Sequence, residues 1–188
     1  MITNDKRRKI EGGIFLALFC MTIPAANWMI GHVGTACVPN GPCLVPVAPD
    51  IMAPSGVLMV GAALVLRDLV QRRLGVEFGL GAIAVGAAFS AVLAPPSLVI
   101  ASATAFLLSE CTDFAVYTPL ARRRLVAAVF ASSIVGLIVD SIVFLWLAFG
   151  SLEFLLGQII GKLWMVMLAI PFVAYLRRRD ERLGLKPA

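Results

Sequence analysis

The chain has 188 residues, 60% of them hydrophobic and only 14% charged, with a formal net charge of +5. Soluble globular chains run at about 45–50% apolar and about 25% charged, so one water-soluble core of this size is excluded and the bilayer is the solvent this composition calls for. Lys and Arg fall in clusters between apolar runs, with no basic surface interleaved with aromatics, which argues against a nucleic-acid partner and reads as a topology signal.

The apolar runs predict an all-α fold: a polytopic six-transmembrane-helix bundle, N-in/C-in, forming one transporter domain over 1–188. Span one, about 10–33, follows Lys6, Arg7, Arg8 and Lys9. Its apolar run is too long for a signal-peptide core and is read as a retained helix. Pro24 frees a backbone carbonyl inside it. Asn27, one turn later, either caps that break or contacts a ligand. Residues 34–54 read as a polar loop punctuated by Pro and Gly. Cys37 and Cys43 share this loop, which falls outside, where a disulfide is permitted. Cys20 and Cys111 sit in apolar helices, where Cys behaves as a small hydrophobe.

Span two, 54–72, is uninterruptedly apolar only to Leu66. At ~1.5 Å per residue that falls short of ~30 Å of hydrocarbon, so the helix must continue through Arg67 and Asp68. Arg67 can snorkel to the headgroups, and Asp68 can pair with Arg72 at i, i+4. Span three, 78–93, carries a small-residue face of Ala82, Gly86 and Ser90 that allows close helix contact. Pro95 and Pro96 form a tight connection.

Span four, 97–117, places Ser102, Phe106, Glu110, Asp113 and Tyr117 at intervals of 4, 4, 3 and 4, hence on one helical face. Ionised side chains inside hydrocarbon cost at least a few kcal/mol and face a cavity or a partner. For Asp113 the alternative is pairing with Arg122 to Arg124 at the interface. Span five, 125–149, sets Ser133, Gly136 and Asp140 on one face, with Asp140 ~22 Å up the helix and out of snorkelling reach. Span six, 152–176, places Lys162 ~15 Å deep with Gln158 one turn away. Asp140 and Lys162 therefore either form a structural ion pair or line a substrate cavity. Gly157 and Gly161 suit helix packing. Trp28 and Trp164 are interfacial anchors or stacking platforms for a planar ligand.

Every Lys and Arg except Lys162 falls before span one, at the end of span two, or after spans four and six. Positive-inside bias then puts both termini in the cytoplasm of a multi-pass inner-membrane protein.

These polar positions, in this order, resemble the queuosine precursor transporter family, also called the VUT family of putative vitamin uptake transporters. The resemblance covers nearly the whole chain at low identity. It is carried by Ala26-Asn27-Trp28, by Arg67-Asp68-Leu69-Val70 through Leu74-Gly75, and by Ala101-Ser102 through Asp113. Further on it is carried by Ala131-Ser132-Ser133, Gly136, Asp140-Ser141, Phe144 and Ala148-Phe149, then by Lys162 and Pro171. It implies an importer of 7-deazaguanine precursors of queuosine, such as the 7-cyano or 7-aminomethyl base. It also implies substrate contacts at Asn27, Asp68, Asp113, Ser133, Asp140 and Lys162. At position 110 the family accepts a neutral amide, and the Cys37 to Cys43 loop departs from the family pattern.

A guanine-like edge offers N–H donors to carboxylates and a carbonyl to a Lys or an amide. Glu110, Asp113 and Asp140 are therefore the expected acceptors, and Asn27, Gln158 and Lys162 the expected donors. No cofactor or metal is expected. The expected partners are a nucleobase-like small molecule and the bilayer, and Gly-rich faces leave room for a homodimer. The first alternative is a substrate-binding membrane subunit of a multi-component importer. An intramembrane enzyme is disfavoured, because no His-Glu-x-x-His or Gly-x-Ser-x-Gly pattern is present. A structural or assembly factor is a third reading; its membrane charges would pair off completely and leave no polar cavity.

Overall fold

A computed structural model describes residues 4–39, 41–94 and 96–185. Pro95, half of the expected Pro-Pro connection, and Lys186 lie outside the described residues. Among those described are six α-helices, a short 3₁₀ turn and a three-stranded sheet: α1 (Asn4–His32), β1 (Ala36–Cys37), β2 (Cys43–Ala48), β3 (Ile51–Pro54), α2 (Val57–Leu74), α3 (Val76–Leu93), α4 (Val99–Ala121), α5 (Leu125–Phe149) and α6 (Leu155–Leu183).

Helices α1, α3, α4, α5 and α6 are long and apolar enough to cross a membrane. Their outward side chains are large and apolar, among them Ile14 and Met21 of α1, Ile100 of α4, Trp146 of α5 and Leu168 of α6. That arrangement is stable when lipid rather than water surrounds the bundle. α2 differs. Its 18 residues include Arg67, Asp68, Arg72 and Arg73, all of them buried. The helix packs against each of α1, α3, α4, α5 and α6. Its neighbours shield it from lipid, so it carries charge where they do not.

Both end helices outrun the predicted spans. α1 begins at Asn4 rather than near residue 10, and Asp5 pairs with Lys9 at 2.9 Å and Arg8 at 3.4 Å in its first turns. Such i, i+3 and i, i+4 pairs let a charged turn extend the helix into water. α6 continues seven residues beyond the expected end at 176 because Asp180, on its last turns, is held by α2.

The 34–54 segment is not an irregular loop, and the fold is correspondingly not purely helical. β1, β2 and β3 pair antiparallel in that order, with Cys37 opposite Cys43 and joined to it by a disulfide. Prolines masked the strands: Pro46 falls where the β2–β3 register shifts between Pro46 and Ala48, a place that tolerates a missing N–H. Asp50 turns the second hairpin at φ 59, a conformation Asp tolerates better than most residues. The sheet caps one end of the bundle. Ser55 Oγ donates to the Met29 carbonyl at 2.7 Å, and the Trp164 indole N–H donates to the Val47 carbonyl at 2.9 Å.

Two close approaches set the helix packing. A Cβ at Gly61 of α2 would stand 2.6 Å from the Lys162 carbonyl oxygen and 2.9 Å from its Cα. Gly136 of α5 lets Leu64, Asp113 and Ser109 approach in the same way. Gly157 and Gly161 pack against Met52, Val47 and Val57, that is, against the sheet and the start of α2 rather than another spanning helix.

The apolar core (Phe15, Phe19, Leu69, Val70, Val129, Leu137, Val166, Val173) fills the half of the bundle nearer the Arg-rich end. Nearer the sheet the packing, through Ile23, Ala63 and Leu64, leaves a space open.

Candidate functional site

The open space is a cavity that leaves about 90 Å³ for the centres of water molecules. At roughly 10–15 Å³ each that admits about half a dozen waters. Its walls come from all six helices and the end of β3. Ile23, Ile30, Val57, Val60 and Leu64 are apolar, Phe106 and Phe144 are aromatic, and Asn27, Ser102, Glu110, Asp140, Gln158 and Lys162 are polar.

α5 and α6 supply one polar wall. Lys162 Nζ donates to Asp140 Oδ2 at 2.6 Å, Ser141 Oγ at 2.7 Å and Gln158 Oε1 at 2.5 Å. An ammonium has three N–H donors, and all three are used. The lysine is 1% exposed, so its charge is compensated wholly by these partners. The two readings of the Asp140–Lys162 pair meet: the residues are ion-paired and also line the cavity. The lysine leaves the Gln158 amide nitrogen and the second Asp140 oxygen unused.

α1 supplies Asn27, whose side-chain nitrogen donates to the Ile23 carbonyl at 3.0 Å beside the Pro24 break. The carbonyl that Pro24 frees is that of Cys20, one turn earlier, so Asn27 does not cap the break; it lines the cavity. On α4, Ser102, Phe106, Ser109 and Glu110 line the cavity, while Asp113 and Tyr117 continue the same face below it.

Below Glu110 lies a second polar cluster, centred on Arg67. Its Nε donates to Glu110 Oε2 at 3.0 Å, its Nη1 to Gln71 Oε1 at 3.1 Å, and its Nη2 to Asp113 Oδ2. Asp68 Oδ1 stands 2.9 Å from Nη1, and Asp68 Oδ2 accepts from Ser132 Oγ at 3.0 Å. The rings of Phe114 and Tyr117 flank the guanidinium, at 5.6 and 5.7 Å from their centroids. Three carboxylates thus converge on one fully buried guanidinium, which does not snorkel to headgroups. Asp113 pairs with Arg67 and not with Arg122 to Arg124. Asp68 pairs with Arg67 and Ser132 and not with Arg72.

Of the eight expected contact residues, Asn27, Glu110, Asp140, Gln158 and Lys162 line the cavity. Asp68, Asp113 and Ser133 stand outside its wall. The Ser133 hydroxyl is buried and has no hydrogen-bond partner among the described residues. Trp28 and Trp164 are more than half exposed and do not line the cavity; Trp28 stacks on His32 at 5.2 Å. The aromatic faces on the cavity are Phe106 and Phe144.

Sequence reasoning missed the partners Ser141 and Gln71. The second had a signal, because Gln71 lies one turn from Arg67 on a helix too short to expose it. A third cluster had no such signal. At the Arg-rich end Asp180 accepts from Arg72 at 2.8 Å and from Arg73 at 2.8 and 2.9 Å, and Glu11 pairs with Arg73 and Arg179 at 2.9 and 2.6 Å. It ties the start of α1 and the ends of α2 and α6 together. Burial opposes the charge on Asp180, but hydrogen bonds from Arg73 and Arg72 outweigh it and hold the carboxyl below its ordinary range. Among the described residues no group of His, Cys, Asp and Glu is arranged to hold a metal ion.

A family model described as putative vitamin uptake transporter matches residues 55–176, from the start of α2 to the Arg-rich end of α6. No curated protein and no solved structure matches the chain.

Proposed function

We propose, from the premise that this chain belongs to the putative vitamin uptake transporter family, that the membrane transporter it forms imports a queuosine precursor, a nucleobase of the 7-deazaguanine type. The observation that carries this reading is the cavity itself. Glu110, Asp140, Gln158, Lys162 and Asn27 converge on it, and Phe106 and Phe144 supply aromatic faces. Carboxylates accept from a guanine-like amide and amino edge, and the Gln158 and Asn27 amides serve its carbonyl. The rings suit a flat heterocycle. Asp68, Asp113 and Ser133 support the site from behind its wall.

In this reading α2 is the sixth crossing, about 27 Å long at 1.5 Å per residue. Both termini and the Arg clusters face the cytoplasm across the inner membrane. The sheet, with its disulfide, faces the oxidising side, where such bonds persist.

The test is uptake of labelled 7-cyano- and 7-aminomethyl-7-deazaguanine by cells that cannot make them, with and without this chain. Asp140→Ala and Lys162→Ala are expected to abolish uptake of the transported base. Unchanged uptake in both would remove the pair from the mechanism. Uptake into liposomes holding only this chain separates a self-sufficient importer from a binding subunit that needs an energising module.

A further inference from the structure

A second pocket lies at the Arg-rich end, lined by Gln71, Tyr117, Thr118, Ala121, Arg122 and their neighbours, and it leaves about 450 Å³ for water centres. It shares no lining residue with the cavity at the sheet end. One side chain touches a wall residue of each: Arg67 donates through Nε to Glu110, which lines the first, and through Nη1 to Gln71, which lines the second. Gln71 passes the connection on to Thr118 Oγ1 at 3.0 Å, and Tyr117 of the second pocket lies against the guanidinium. Arg67 is itself fully buried and lines neither pocket.

We propose that Arg67 is the gate of the transport path and that the second pocket is the vestibule through which the ligand leaves. The proposal rests on the chain being a transporter whose ligand sits in the first cavity. Between the two pockets lies a fork of hydrogen bonds, flanked by the Phe114 and Tyr117 rings. A guanidinium exchanges acceptors by rotating its own side chain, without repacking helices. Acceptors for a rearranged fork are in place, since Asp113 Oδ1 is buried without a hydrogen-bond partner among the described residues. The trigger is also in place. A ligand that presents N–H donors to Glu110 from the cavity competes with Arg67 Nε for that carboxylate, so filling the cavity loosens the barrier beneath it. Arg67 is then a positioning residue that acts through Glu110, and Ala121 marks the exit without touching either cluster.

Thiol labelling tests the gate without any ligand. In a chain with Cys20→Ala and Cys111→Ser, Ser109→Cys places a thiol in the cavity wall beside Glu110. A membrane-impermeant maleimide applied at the Arg-rich side is expected to label it at least about tenfold faster when Arg67→Gln is added, as for an opened gate. Arg67→Gln with Asp113→Asn keeps the charge nearer balance if the single variant misfolds. Labelling within about twofold of the Arg67 parent, in a variant that melts as the parent does, would overturn the gate. Ala121→Trp tests the exit and leaves the Arg67 cluster intact. Labelled 7-cyano-7-deazaguanine is expected to bind with unchanged Kd while uptake falls about tenfold or more; unchanged uptake would overturn the exit route. If neither that base nor its 7-aminomethyl counterpart binds the parent chain, the substrate reading fails, and the labelling result still decides the gate.

Discussion

Lys162→Met isolates what the buried ion pair contributes. The ammonium is 1% exposed and donates to Asp140, Ser141 and Gln158 at 2.5–2.7 Å. Removing one partner of a buried pair costs about 3–5 kcal/mol, because the other is left charged and uncompensated. The Asp140 side chain is 10% exposed on the cavity, so some water reaches it and the lower end applies. At about 2–4 °C per kcal/mol, a loss of about 3 kcal/mol lowers the melting temperature by about 6–12 °C. The double variant Asp140→Asn with Lys162→Met removes both charges and is expected to recover most of that loss, since an apolar or neutral replacement of a whole pair is often close to neutral. Ligand binding should not recover with it, because the carboxylate that accepts from the ligand is gone. Thermal unfolding in detergent and ligand binding, measured on the parent and both variants, separate the two effects. If the single variant melts within about 1 °C of the parent, the lysine is not buried as described. If the double variant restores both stability and transport, the pair is structural and the ligand does not use it.

Three further outcomes follow from the packing and electrostatics. Gly61→Leu forces a side chain against the Lys162 backbone and should cost at least about 1–3 kcal/mol by overpacking, whereas Gly81→Ala, with nothing within 4 Å of its Cβ, should melt as the parent does. Phe106→Ala and Phe144→Ala each remove an aromatic face worth about 0.5–1.5 kcal/mol to a flat ligand, a weakening of about 2- to 13-fold in Kd by titration. Asp180 has a folded-state pKa below its ordinary 3.8, so its stabilisation is complete above that value and is lost as pH falls through the folded value. Melting temperatures taken below pH 3.8 should therefore drop more steeply for the parent than for Asp180→Asn. Equal slopes would mean that Asp180 does not hold Arg72 and Arg73 together.

The two halves of the bundle divide the work. Interlocked apolar side chains in the Arg-rich half hold the helices in place. The sheet half leaves a space lined by the Lys162 cluster, and the Arg67 cluster lies where that space ends. The glycines on α2, α5 and α6 matter for the same reason: they let backbones approach where bulk would otherwise fill the cavity or push Lys162 away from Asp140.

Hydrophobic run lengths determined the helices, because a segment in lipid must satisfy its backbone internally and so reports its length and composition directly. Span five was legible to the residue, at Leu125–Phe149. Helical periodicity likewise placed Ser102, Phe106 and Glu110 on one face, and the depth of Asp140 and Lys162 brought them to one wall. What the sequence alone left open was who partners whom. Arg67 read as an interfacial charge, and Asp68 and Asp113 as substrate contacts or as partners of nearby arginines, yet α2 sits at the centre of the bundle and Arg67 finds acceptors 43 and 46 positions away. Asp180 meets Arg72 across 108 positions. The sheet was hidden because its prolines argue against strands unless the register shift at Pro46 is known. Local pattern encodes which face a residue occupies, but only the packing of six helices decides what that face meets, since a buried charge takes whichever partner the tertiary fold brings within hydrogen-bond reach.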